Sequence, residues 1–104
     1  MNKKLSWAEL AMTTPQQIVD GVNVYEGVIN TTKVKQVVMT KIVNINFTSN
    51  CLVLPIQAIG TLTSTESSTP VMMGEIHFVE AGSVYTPSMA YTTFIIIGEG
   101  SIDA

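Results

Sequence analysis

The sequence predicts a mainly β protein: a single antiparallel β-sandwich or barrel, jelly-roll-like, preceded by a short helical or extended N-terminal arm. Three observations lead there. The chain carries 12 Val, 11 Ile and 13 Thr against only 5 Leu, and β-branched side chains lose χ1 freedom in helices while fitting a pleated surface. From Gly21 onward, short apolar runs are separated by Gly, Pro, Asn and Ser clusters, the punctuation of an all-β domain. At 104 residues there is length for one hydrophobic core. The division follows: residues 1–20 as an arm with short helical turns, and residues 21–104 as the sandwich.

In the arm, Ser6-Trp7-Ala8-Glu9 reads as a capping box opening a short helix to about Met12. Thr14-Pro15-Gln16-Gln17 reads as a second helical start, with Pro15 at the first helical position and Gly21 as the stop. An extended arm pairing with a neighbour is the competing reading for residues 1–15.

After Gly21, strand alternation places Val22, Val24, Glu26 and Val28 on one face and Asn23, Tyr25, Gly27 and Ile29 on the other. Asn30-Thr31-Thr32 reads as a turn. The run from Lys33 to Thr48 is long and apolar on both parities at Val37-Val38-Met39, which predicts a bulge near Thr40 or two-sided burial. Thr48-Ser49-Asn50 is a loop, and Cys51 to Leu54 a strand ended or kinked by Pro55. Ile56 to Thr63 is a strand with Gly60 marking a bend. Ser64 to Pro70 reads as a polar flexible loop, and Val71 to Glu80 as a strand containing Gly74. Ala81-Gly82 turns into Ser83 to Thr86, Pro87-Ser88 turns again, Tyr91 to Gly98 is the last strong strand, and residues 98–104 form a tail.

Charge excludes several classes of function. Charged residues are only 12%, there are five Lys and no Arg, and the net charge is −3. A duplex nucleic-acid partner needs a large basic surface, which this chain cannot build. The uncharged segment from Ile42 to Thr65 contains Asn44, Asn46, Asn50, Pro55 and Gln57, amides too costly to bury in lipid, so no membrane insertion is expected. Glu9 interrupts the apolar stretch after Lys3-Lys4, so the chain is expected to be made in the cytoplasm without a signal peptide. All five Lys lie within the first 41 residues, making that part +2 and the rest −5. Oppositely charged parts of this kind can pair within a molecule or between copies.

Catalytic groups are sparse. His77 is the only histidine and alternates with Glu75; a zinc site would have to recruit Cys51 as well. The lone Cys51, among Leu52, Val53 and Leu54, reads as a small buried hydrophobe, and nothing around it or His77 resembles a nucleophile turn. Glu66, Glu75, Glu80 and Glu99 could supply carboxylate pairs, as any eight acids could. Gly98-x-Gly100 lies too near the C-terminus to open a phosphate-binding helix. The expectation is a non-enzymatic protein without metal or cofactor.

Two functional expectations remain. The strands Cys51–Leu54 and Thr92–Gly98 carry no Lys, Pro or inward charge that would protect an open sheet edge, so Phe94, Ile95, Ile96 and Ile97 must be covered by the sheet or by a neighbouring subunit. With Met39, Met72, Met73 and Met89 as adaptable contacts, and with Trp7 and Leu10 anchoring the arm, this predicts a homo-oligomeric structural protein that docks on a larger assembly. Small virion components (phage capsid-decoration, head-fibre or tail-associated proteins) have this size and composition, and incorporation into a virion is the expected setting. The alternative is a small module for a neutral glycan, with Tyr85 and Tyr91 as an aromatic platform and Ser64–Pro70 as its lid.

Overall fold

The computed structural model describes residues 15–104, which form eleven strands. These are β1 (Gln16–Val19), β2 (Val22–Ile29), β3 (Thr32–Met39), β4 (Ile45–Phe47), β5 (Cys51–Gln57), β6 (Gly60–Thr63), β7 (Ser68–Pro70), β8 (His77–Val79), β9 (Val84–Pro87), β10 (Thr92–Ile97) and β11 (Ile102–Asp103). They build two antiparallel sheets, one in the order β1-β2-β3-β10-β5-β8 and the other β11-β4-β9-β6-β7. The pairs β3:β10, β4:β9, β5:β8 and β6:β7 are nested one inside the next. A long hairpin rolled in this way is a jelly roll, whose two four-stranded sheets here are β3-β10-β5-β8 and β4-β9-β6-β7. Strands β1, β2 and β11 extend them.

Alternation decides which side chains enter the space between the sheets. Val22, Val24, Val37, Met39, Val53, Phe94 and Ile96 point in from the six-stranded sheet and are buried; Ile45, Phe47 and Tyr85 meet them from the five-stranded one. The centre is aromatic. Tyr85 meets Phe94 edge to face at 5.5 Å, and Phe47 lies 6.2 Å from Phe94. At Gly60 the strands come so close that a Cβ would run into the Thr86 carbonyl, which is why no side chain is present there.

Several expectations are corrected. Residues 16–19 are strand β1, not helix: Asp20-Gly21 is a two-residue hairpin turn, with Gly21 at φ 89° and Val19 paired with Val22. An Asp-Gly pair between strands supplies the left-handed conformation such a turn needs, so Gly21 reverses the chain rather than stopping a helix. The sheet therefore begins before residue 21. The capping-box helix of Ser6–Met12 lies outside the described residues.

The run Lys33–Thr48 is two strands in different sheets. β3 pairs with β10 without a bulge and ends at Met39; the chain then crosses over, with Thr40 N donating to the Gly21 carbonyl at 2.8 Å. The apolar Val37-Val38-Met39 stretch reflects two-sided contact, Val37 and Met39 inward and Val38 half-buried outward. β5 continues through Pro55, because a register shift at Thr93/Phe94 places the proline at a bulge, where its missing N–H is tolerated. Ser64–Pro70 is largely hairpin: β6 pairs with β7 from Thr63–Ser68 to Thr61–Pro70. Of Val71–Glu80 only His77–Val79 is strand, and part of the tail pairs as β11 with β4.

Candidate functional site

The jelly-roll interior is full. Between Phe47, Val53, Ala58, Leu62, Tyr85 and Phe94 there remains a gap of about 10 Å³, no more than one water-sized probe occupies. Tyr85 is 2% exposed and its hydroxyl donates to the Ile59 carbonyl at 3.3 Å. Burial pushes the phenol pKa up, against a smaller opposing contribution from the Thr92 side chain. Burial likewise raises the Cys51 thiol, with Lys35 opposing. A thiol held protonated is a poor nucleophile.

The ladder between β5 and β8 sets Cys51 opposite Val79 and His77 opposite Val53. The two side chains are thus offset by two residues, about 7 Å along the strand. The His77 Nε2 lies 3.2 Å from both the amide and the carbonyl of Met72, so the imidazole is engaged with the preceding turn rather than with Cys51. Among the described residues, no three His, Cys, Asp or Glu side chains converge on one point.

The Tyr85–Tyr91 platform is not formed. Tyr91 is 69% exposed, at φ 60° just before β10, whereas Tyr85 is sealed in the core. Strand parity puts the Tyr85 ring on the inward face, a consequence legible only once β9 is known to lie between β4 and β6.

Phe94, Ile95, Ile96 and Ile97 divide by parity. β10 is central in the six-stranded sheet; Phe94 and Ile96 enter the core, while Ile95 and Ile97 face outward. Trp7 and Leu10 lie outside the described residues.

The outward face of the six-stranded sheet is the extended feature of the surface. In register across four strands run Phe78 (β8), Leu52 (β5), Ile97 (β10) and Val34 (β3). The next row holds Leu54, Ile95, Gln36 and Tyr25. Val34 and Ile95 are buried, and among the described residues Ile29, Leu54 and Ile97 pack against them in a second hydrophobic cluster outside the sandwich. Phe78 is 63% exposed and Leu52 40%. None of the outward-facing residues of β2, β3, β10, β5 and β8 is charged. The sequence signal was present in the Leu52/Leu54 and Ile95/Ile97 parity, but it marks a common face only when β5 and β10 are neighbours.

No protein-family model matches the sequence, and no curated protein matches it. Solved structures do share the fold. The chain is similar to the plu4264 protein from Photorhabdus luminescens, with a TM-score of 0.55 and 11% identity over 93% of this chain and 86% of that one. It is also similar to the Clostridium difficile EutQ protein, with a TM-score of 0.50 and 16% identity over 76% of this chain and 64% of that one. At such identities the likeness is one of fold: this chain has the two-sheet β architecture of those proteins.

Proposed function

We propose that this chain is a non-enzymatic structural protein that assembles with itself, two copies stacking the outward faces of their six-stranded sheets. One observation carries the reading: the uncharged strip through Phe78, Leu52, Ile97 and Val34, backed by Leu54 and Ile95. An identical copy is the occupant that this face suits. It holds no charge to repel its twin, and a two-fold contact pairs one patch with itself.

A unit of this kind serves as a component of a larger protein particle, and a virion is the setting its size and low charge suggest.

The test is the solution mass by light scattering over a concentration series. The wild type is expected to be a dimer or a multiple of one, and Leu52→Lys and Phe78→Lys to be folded monomers. A wild-type monomer at high concentration, or a mass unchanged in both variants, overturns the proposal.

A further inference from the structure

The second feature of the surface lies where the two sheets fail to meet. β7 is the last strand of one sheet and β8 the last of the other, and they do not pair. Between the β6–β7 hairpin and β8 the sandwich opens into a cleft of about 240 Å³. That is room for about eight waters at about 30 Å³ each, and it is smaller than the about 300–1,000 Å³ of sites for drug-sized ligands. A single ring is the size it takes.

Ser83 lines this cleft and is 5% exposed. Its backbone is fully engaged: the amide donates to the Glu80 carbonyl at 3.1 Å, and its carbonyl accepts from Phe47 N at 2.8 Å. Its hydroxyl has no hydrogen-bond partner among the described residues, yet it is not a sealed, unsatisfied atom. The hydroxyl of an otherwise buried residue is therefore left open to the cleft. A hydroxyl so placed can both donate to and accept from a ligand in the cleft.

The walls indicate which partner. Glu66 at the hairpin tip and Glu80 after β8 stand on opposite sides, and no Lys is among the lining residues. Ser67 and Thr69 add hydroxyls, Leu62, Phe78 and Val79 supply apolar surface, and His77 lines the wall with its Nε2 engaged by the Met72 backbone. Carboxylates accept hydrogen bonds and repel anions; hydroxyls both donate and accept. Apolar side chains suit a face of C–H groups. A compact neutral polyol with an apolar face, a single pyranose residue, meets all of these demands together.

We propose that this cleft is a binding site for a neutral sugar residue, held by Glu66, Glu80 and Ser83. The cleft borders the stacking face at Phe78, which lines both, whereas neither carboxylate nor Ser83 lies on the outward side of the six-stranded sheet, so E80Q and S83A test the cleft without touching the strip.

The experiment titrates the full chain with the methyl glycosides of glucose, galactose, mannose and N-acetylglucosamine, with glucuronate and with ethylammonium chloride, followed by amide NMR shifts. At least one neutral glycoside is expected to shift residues 64–69 and 77–83, with a Kd of about 1 mM, typical of a single small ring. Glucuronate is expected to bind about tenfold more weakly. E80Q, at an exposed position that leaves the fold intact, is expected to weaken the neutral sugar about tenfold, and S83A to do the same. No shift in these segments at about fifty times that Kd overturns the site, as do shifts unchanged in both variants. Shifts with ethylammonium but with no sugar overturn the assignment of a neutral ligand.

Discussion

Leu52 on β5 and Phe78 on β8 stand opposite each other in the antiparallel ladder, both directed away from the core and both substantially exposed. Cross-strand pairs of this kind contribute about 0.2–1 kcal/mol within a sheet, too little to explain two large apolar side chains in solvent. If their main contact is with another copy, charge placed at either position separates assembly from folding. The double variant Leu52→Lys with Phe78→Glu makes this sharp. It restores a favourable cross-strand pair within one chain and is expected to melt close to the wild-type monomer, with a change of about 0.5 kcal/mol or less, while remaining dissociated by light scattering. Dimerisation of that variant would place the contact elsewhere.

Phe94 behaves differently, although it lies in the same apolar run as Ile95. It packs between Phe47 and Tyr85 in the closed interior. Phe94→Ala is expected to cost about 3–5 kcal/mol, a large part of the about 5–15 kcal/mol that holds a domain together. Ile95→Val, on the outer cluster, is expected to cost only about 0.5–1.5 kcal/mol. Urea unfolding of both variants reads the contrast directly, and similar midpoints would mean that the parity of β10 has been misassigned.

How much of this was legible in advance depended on whether the information was local. Alternation from Val22 to Ile29 identifies a strand and its two faces without a structure, because its period of two is written in neighbouring residues. The paired β-branched composition likewise identifies an all-β domain. For residues 16–19, Pro15 and the Gln pair suit a helix start locally, whereas edge pairing with β2 decides for a strand. Around Thr40 the local pattern fits a bulge or two-sided burial equally, because nothing local shows that Ile45 belongs to the opposite sheet; the structure has the two-sided contact and no bulge. Tyr85 looked like a surface aromatic for the same reason. The cleft was least visible: Ser83, Glu66 and Glu80 come together only because β7 and β8 end their sheets side by side.

Tyr85 also yields a pH dependence. Burial raises its phenol pKa above the ordinary value, and the Cys51 thiol is raised in the same way. A folded pKa above the unfolded one means that the folded state holds its proton more tightly. Stability is then full below the unfolded pKa and falls as pH rises through the folded value. Thermal melts are therefore expected to be flat through neutral pH with respect to these groups and to drop in the alkaline range, first where a free thiol ionises and then where a free phenol does. Tyr85→Phe removes the phenol's share of that decline, at the cost of the hydrogen bond to Ile59, about 0.5–1.5 kcal/mol at neutral pH. Identical alkaline slopes in the two proteins would refute the assignment.

The turn after β10 is tied down by charge, and its dependence on pH runs the other way at the acidic end. Lys33 Nζ donates to Glu99 at 2.9 Å, Gly98 N donates to the Lys33 carbonyl at 2.7 Å, and Lys35 Nζ donates to the Gly100 carbonyl at 2.6 Å. The hydrogen bond from Lys33, and then its charge, hold the Glu99 carboxyl below its ordinary pKa; the same contacts raise Lys33. The carboxylate's contribution is present above its unfolded pKa and is lost as pH falls through the lower folded value. The lysine's is present below its unfolded pKa and is lost as pH rises through the higher folded value. Between those limits both act. Because the pair is open to solvent, salt screens it, with a Debye length of about 3 Å at 1 M. Glu99→Gln is therefore expected to lower the melting temperature slightly at neutral pH and low salt, to lose that difference in about 1 M salt, and to lose it again in acid. A difference that persists in acid and in salt would show that Glu99 holds the turn by packing rather than by its charge.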